Sequence, residues 1–251
     1  MTRTLKSLSA LLAIGVLNVG LAAQTTTANR YDSDIQQKVS QKLASKTEFR
    51  ALQASVEDGI VTLTGPVDLY QQKLDAAKNV RKLAKVQGVR NLIEVSSSVP
   101  DTELDAKLDR KLYYDRMGYD NRFNYVTASV QNGVATLSGE TRSYMARDSA
   151  MFLASNMPGV KDVVNNITVA PVSNFDDSIR FRTMRAIYRD PVLSRYAIDP
   201  AAPIRIVVDH GKVSLYGTVA STMDKQVAGI RANQVFGVFS VQNNLEVAGR
   251  S

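Results

Sequence analysis

ASVQNGVATLSGE, Ala128 to Glu140, occurs three times in variant form: the other copies are ASVEDGIVTLTGP, Ala54 to Pro66, and IVVDHGKVSLYGT, Ile206 to Thr218. Each copy has a Gly after Asp58, Asn132 or His210, and a second Gly six residues later at Gly65, Gly139 or Gly217. A two-residue hairpin loop needs φ > 0 at both positions, which Gly takes freely and Asn, Asp and His take more readily than other residues. With the loop at Asp58-Gly59, Asn132-Gly133 and His210-Gly211, Val56 faces Val61, Val130 faces Ala135 and Val208 faces Val213. Ala54 then faces Leu63, Ala128 faces Leu137 and Ile206 faces Leu215, so one face of every hairpin is apolar. The opposite face carries Ser55 with Thr62, Ser129 with Thr136, and Val207 with Ser214, as expected of a half-buried antiparallel pair. Gly59, Gly65, Gly133, Gly139, Gly211 and Gly217 are read as structural turn glycines.

The register persists downstream without a gap. Val86, Val160 and Val238 coincide, as do Asn91, Asn165 and Asn243, and then Ile93, Ile167 and Leu245. That alternation predicts a third strand. Gly159 and Gly237 precede it as helix stops, whereas the first copy has Lys85, so its helix is expected to end differently.

Each unit opens with apolar residues every four positions: Ile35, Val39 and Leu43; Leu104, Leu108 and Leu112; Ile179, Thr183 and Ile187. Asp32 and Ser33, Asp101 and Thr102, and Asp176 to Ser178 precede them as expected helix caps. A second helix lies between the hairpin and the third strand, starting after Asp68 in unit one and after Ser221, paired with Asp224 as a capping box, in unit three. Gly229 is expected to weaken that last helix. The predicted fold is α+β: three tandem small domains, each helix-strand-strand-helix-strand, with two helices packed on a three-stranded sheet. The boundaries read as 30–98, 101–171 and 174–249.

Residues 1–23 stand apart. Arg3 and Lys6 precede an uncharged run from Leu8 to Ala23, the pattern of a secretory signal peptide, with an uncleaved N-terminal anchor as the alternative. The chain has no Cys, which closes the route of lipid attachment at a processing-site thiol and leaves stability to packing. Net charge is +7, and +5 without Arg3 and Lys6; the units carry +3 (11 basic, 8 acidic), −1 (8 and 9) and +3 (10 and 7). Mild positive charge suits anionic partners and equally an ordinary solvated surface.

The spacing from Ile35 to Gly59 is 24 positions, against 29 from Leu104 to Gly133 and 32 from Ile179 to Gly211. The inserted stretches, YYDRMGYDNRFNYV and YRDPVLSRYAIDPAAP, mix aromatic rings with Arg. They suit an interface with a membrane or protein, or rings covering loop backbone while the arginines pair with Asp115, Asp120 and Asp190.

Catalytic motifs are missing: there is no nucleophile elbow, zinc-binding helix motif, phosphate-cradling Gly loop or calcium loop, and the single His, His210, sits in a turn. No catalytic, cofactor-binding or metal-binding residue is assigned, and no small-molecule substrate is evident. Four arginines, Arg180, Arg182, Arg185 and Arg189, crowd the first helix of unit three, and Arg182, Arg185 and Arg189 fall on one side of it as the candidate lipid or anion contact.

The hairpin with its two glycines, followed by a helix and then GVKDVVNNITV or GVFSVQNNLEV, resembles the BON domain. The resemblance covers nearly all of the chain after the signal, as three copies, and departs from the family at Lys85 and in the enlarged loops. The layout of an export signal followed by such domains is similar to osmotically inducible periplasmic members of the family. It implies attachment to phospholipid membranes from the periplasmic side, protection of the envelope under osmotic stress, and no catalytic residues. The alternative is a periplasmic protein-interaction scaffold or chaperone-like envelope protein. Nucleic-acid binding is disfavoured by export and by hairpin faces that offer Ser, Thr and Val rather than aromatic platforms.

Overall fold

The computed structural model describes residues 19–115, 117 and 120–249, with side chains from Tyr31 onward. The first unit contains α1 (Val19–Ala44), β1 (Gln53–Glu57), β2 (Ile60–Val67), α2 (Tyr70–Arg81) and β3 (Gly88–Val95). The second contains α3 (Asp101–Tyr114), β4 (Tyr125–Gln131), β5 (Val134–Thr141), α4 (Tyr144–Ser155) and β6 (Asp162–Val169). The third contains α5 (Asn174–Tyr188), β7 (Ile204–Asp209), β8 (Lys212–Val219), α6 (Thr222–Asn233), β9 (Ser240–Asn243) and β10 (Glu246–Val247). In each unit the hairpin is antiparallel and the last strand returns parallel to the middle one. This is the α+β architecture that the repeat predicts. The expected signal peptide falls, apart from the start of α1, outside the described residues.

The hairpin pairings are Val56↔Val61, Val130↔Ala135 and Val208↔Val213, with φ positive at both residues of each turn. The apolar faces close onto the helices. Leu104, Leu108 and Leu112 meet Ala135, Leu137 and Ile167, while Ala146, Ala150 and Ala154 let α4 approach closely. Each fully buried Leu contributes about 1.5–3 kcal/mol relative to exposure, so this seam outweighs any single surface contact.

Several local expectations are corrected. The helix of unit one does not start at Asp32; α1 already runs from Val19, and no Gly or Pro interrupts residues 21–44. Asp32 instead reaches across to the hairpin turn, accepting the N–H groups of Asp58 and Gly59, both at 2.8 Å. Asp101 does the same for Asn132 and Gly133, and Asp176 for His210 and Gly211. The cap of α5 is Ser173, whose hydroxyl accepts from Asp176 N. Asp68 does not cap α2 either: the Gln72 side chain accepts the Asp68 and Leu69 N–H groups. Lys85 does not end its unit's helix differently but takes φ +71, as Gly159 and Gly237 take +103 and +94. That backbone costs about 1–2 kcal/mol for a residue with a Cβ. The Lys85 ammonium lies 4.0 Å from the Tyr31 ring centroid and 3.6 Å from Asp34, contacts that offset part of it.

Gly65, Gly139 and Gly217 are not turn residues. They lie inside β2, β5 and β8 at φ +110, +124 and +105. A Cβ at Gly217 would stand 1.9 Å from the Pro203 carbonyl oxygen, so the facing strand passes where a side chain would be. The expected third strand of unit three is broken into β9 and β10, both parallel to β8. Gly229 leaves room in α6 for the Asn243 amide, which donates to Lys225 O at 2.6 Å.

The outer face of the third hairpin is not half-exposed. Arg205 and Val207 are buried there because unit two lies over the hairpin, its insertion against Arg205. Arg205 donates to the carbonyls of Asn121 (2.6 Å) and Tyr113 (2.8 Å), and Tyr125 stacks on Tyr216 at 4.1 Å. Phe123, from the same insertion, is part of the core of unit three and meets Phe181 edge-on at 5.2 Å. Arg142 closes the joint with two hydrogen bonds to Asp177, at 3.1 and 3.0 Å, while lying over both rings. The insertion of unit three, by contrast, folds onto its own unit, with the Tyr196 hydroxyl donating to Asp224 and accepting from Ala220 N.

Between units one and two, Tyr70 packs against both cores. Burial, with the nearby Asp162 carboxylate, pushes its hydroxyl up to about 12.

Candidate functional site

Helix α5 owes its orientation to Ile179, Thr183 and Ile187, which face the core, and to Ser173 and Asp177 in and before its first turn. Residues 182, 185 and 189 are consequently turned outward, and all three arginines are exposed. The Arg182 guanidinium lies 5.8 Å from the Phe236 ring centroid and donates to the Phe236 carbonyl at 3.3 Å. Arg185 Nε donates to Phe181 O at 3.3 Å. Arg189 is the C-cap residue of α5, at the negative end of the helix dipole where a cation is favoured. Among the described residues, none of these three guanidinium groups has a carboxylate within 4 Å, which leaves their charge available to a ligand.

Arg180 is separate from this face. It is buried, paired with Asp177 at 2.8 Å and bonded to the Val208 carbonyl. Arg231 of α6, which the sequence reading did not single out, joins Arg185 and Arg189 around a shallow depression of about 320 Å³ with Gln234 and Val235. Its Nε is held by the buried Asp190 at 2.6 Å. Burial alone would raise Asp190, but the hydrogen bonds from Arg231 and from the Val192 and Leu193 N–H groups outweigh it and hold the carboxyl below its usual range. Arg231 therefore stays anchored while its positive end contributes to the same face. No local pattern connects residues 189 and 231; only the packing of α5 against α6 does.

The cleft between units two and three, about 420 Å³, is of a different character. Asp109 and Glu246 face Arg110 and Arg205 in it, so its charges are mixed. Burial raises the Asp109 carboxyl, with Ala128 N opposing and Asp105 adding to the rise. His210 is exposed at its turn, with Nδ1 2.6 Å from Asp209. Among the described residues, no three His, Cys, Asp or Glu side chains are grouped so as to hold a metal ion, and no helix is long and apolar enough to cross a membrane.

The family model described as the BON domain matches residues 31–97, 100–171 and 176–249. The outer membrane lipoprotein DolP of Haemophilus influenzae is 26% identical over 149 residues, which make up 58% of this chain and 73% of that protein. Among solved structures, the C-terminal domain of CdsD, the structural protein of the type III secretion system of Chlamydia trachomatis, aligns at 12% identity and a TM-score of 0.25, covering 85% of this chain and 97% of that one. The PrgH periplasmic domain aligns at 13% identity and a TM-score of 0.18, covering 79% and 95%.

Proposed function

Because this chain belongs to the BON-domain family, with three copies across residues 31–249, we propose that it is a non-catalytic envelope protein whose third unit binds anionic phospholipid surfaces. The observation that carries this reading is the face of Arg182, Arg185 and Arg189, exposed together and without carboxylate partners among the described residues. The similar DolP is by its name an outer membrane lipoprotein. The present 251 residues contain no Cys to which a lipid could be thiol-linked, so within the three units membrane contact falls to the protein surface. The setting we infer is the periplasmic side of the envelope, with a role in protecting it under osmotic or envelope stress.

The scaffold alternative rests on the repeat architecture and the aromatic insertions, and the rings of the insertions are largely taken up within the chain. Tyr125 and Phe123 pack on unit three, and Tyr196 bonds to Asp224. A basic helix face remains, and a charged headgroup layer is what it fits.

Co-sedimentation of residues 24–251 with anionic and neutral vesicles at low and high salt tests this. Each basic residue near an anionic surface contributes about 1 kcal/mol, so R182E/R185E/R189E should weaken binding at least about 100-fold. Binding should fall with salt, since the Debye length shrinks to about 10 Å at 0.1 M. Equal binding to neutral vesicles, or no loss in the triple variant, would overturn the assignment.

A further inference from the structure

The three copies of one fold serve as controls for each other. At the pole where the hairpin turn meets the turn between the second helix and the last strand, three positions are structurally equivalent in all units. The residue before the turn-binding aspartate is Tyr31, Pro100 or Phe175. The residue whose N–H donates to the turn glycine carbonyl is Gln87, Lys161 or Phe239, at 2.9, 2.8 and 2.9 Å. Three residues before that stands Ala84, Pro158 or Phe236. Unit three alone has phenylalanine at all three.

Unit two builds the same turns with no ring at any of these positions, and unit one with Tyr31 alone, so the fold does not require Phe236 or Phe239. Phe175 is 50% exposed, Phe239 74% and Phe236 85%. Phe175 and Phe239 stand with centroids 6.1 Å apart, and the Phe239 ring lies over Gly211. Unit one has a hollow of about 560 Å³ at this pole, lined by Tyr31, Gly59, Lys85 and Gln87. A cluster of exposed rings on one soluble unit marks a surface for an apolar partner.

The partner is identified by what surrounds the rings. Arg182 touches both the ring and the carbonyl of Phe236. From Arg182 the basic row continues along α5 to Arg189, about 10 Å at 1.5 Å per residue. Lys212 is exposed at the hairpin; of the two carboxylates at that turn, Asp176 is buried beneath the turn N–H groups and Asp209 sits against His210. Apolar rings on the turns with cations behind them match a bilayer, acyl chains beneath anionic headgroups.

We propose that Phe175, Phe236 and Phe239 form an insertion tip that enters the acyl region of an anionic bilayer while Arg182, Arg185 and Arg189 hold the headgroups. This rests on the membrane reading above and adds to it a depth, an orientation and a salt-resistant part of the binding.

The chain has no Trp, so F239W reports from the tip alone and K161W from the equivalent position of unit two. With vesicles containing phosphatidylglycerol, F239W fluorescence should shift to the blue and be quenched by brominated acyl chains, whereas K161W should remain unchanged. F236S/F239S should keep the melting temperature of the parent and lose the binding that survives high salt, about ten-fold for each ring removed. If the protein sediments with the vesicles in an arginine-dependent way while F239W stays unquenched and F236S/F239S binds like the parent, insertion is overturned and surface attachment stands; the tip would then be left to a protein partner. If no variant sediments with any vesicle, both readings fall.

Discussion

Asp176 of α5 accepts the Gly211 N–H at 2.8 Å, tying the start of a helix to a hairpin turn across its unit. Its other oxygen accepts from His210 N at 3.2 Å, and Asp101 and Asp32 repeat the pair of bonds in the other two units. Hydrogen bonds to a charged group contribute about 1.5–3 kcal/mol each, and Asp176 is buried, so D176A should destabilise by at least about 2 kcal/mol. D176N, which keeps one acceptor oxygen, should cost clearly less. Urea midpoints of the two variants and the parent measure the difference; equal midpoints for D176A and D176N would show that a single retained acceptor replaces neither bond, and a D176A midpoint equal to the parent's would show that the pair of bonds contributes nothing.

Thr183 occupies the core position that Val39 and Leu108 hold in the other units, and its buried hydroxyl has no hydrogen-bond partner among the described residues. An unpaired polar group in an apolar site is costly, so T183V should stabilise the chain by about 1 kcal/mol. A thermal melt checks this, and an unchanged or lower midpoint would argue against it.

Gly217 has no room for a side chain. G217A forces a methyl group towards the Pro203 oxygen while holding φ at +105, and should cost at least about 2 kcal/mol. G249A is the comparison: φ is also positive there, at +77, but among the described residues nothing stands within 4 Å, so its loss should be confined to the backbone cost of about 1 kcal/mol.

Glu140 sets a pH dependence at the joint of units two and three. Burial raises its carboxyl, the nearby Asp209 and Asp176 add to the rise, and Arg180 opposes it. A folded carboxyl that holds its proton more tightly contributes stability below the unfolded pKa, and that contribution is lost as pH rises through the folded value. E140Q should therefore melt higher than the parent at pH 7, with the gap closing as the medium is acidified. Asp177 runs the other way: although burial would raise it, Arg142 and Arg180 hold it low, so its stabilisation is present above the ordinary carboxylate range and is lost in strong acid. A pH-independent gap between E140Q and parent would contradict this account.

The hairpins were legible because one signal, alternation across an Asp-Gly, Asn-Gly or His-Gly turn, specifies both the turn and the register. The aspartates at the helix starts are visible too, yet by sequence Asp32, Asp101 and Asp176 read as local caps. Their partners lie 26 to 35 residues away, beyond any helical window. Lys85 defeated the glycine rule because one strained residue can be held by Tyr31 and Asp34. Arg182, Arg185 and Arg189 could be placed on one side of a helix by spacing alone, whereas the burial of Arg180 against Val208 and the arrival of Arg231 depend on tertiary packing. The phenylalanine tip was within reach of the sequence, through reading down the three copies for what differs instead of what repeats.

Phe123 belongs to unit two by its place in the chain and to unit three by its burial. A cut in the linker between them would leave a hole in one piece and a bare ring on the other. Recombination that shuffles single copies of this repeat would break a core at that junction, so in any rearranged descendant the last two copies must be inherited as a pair.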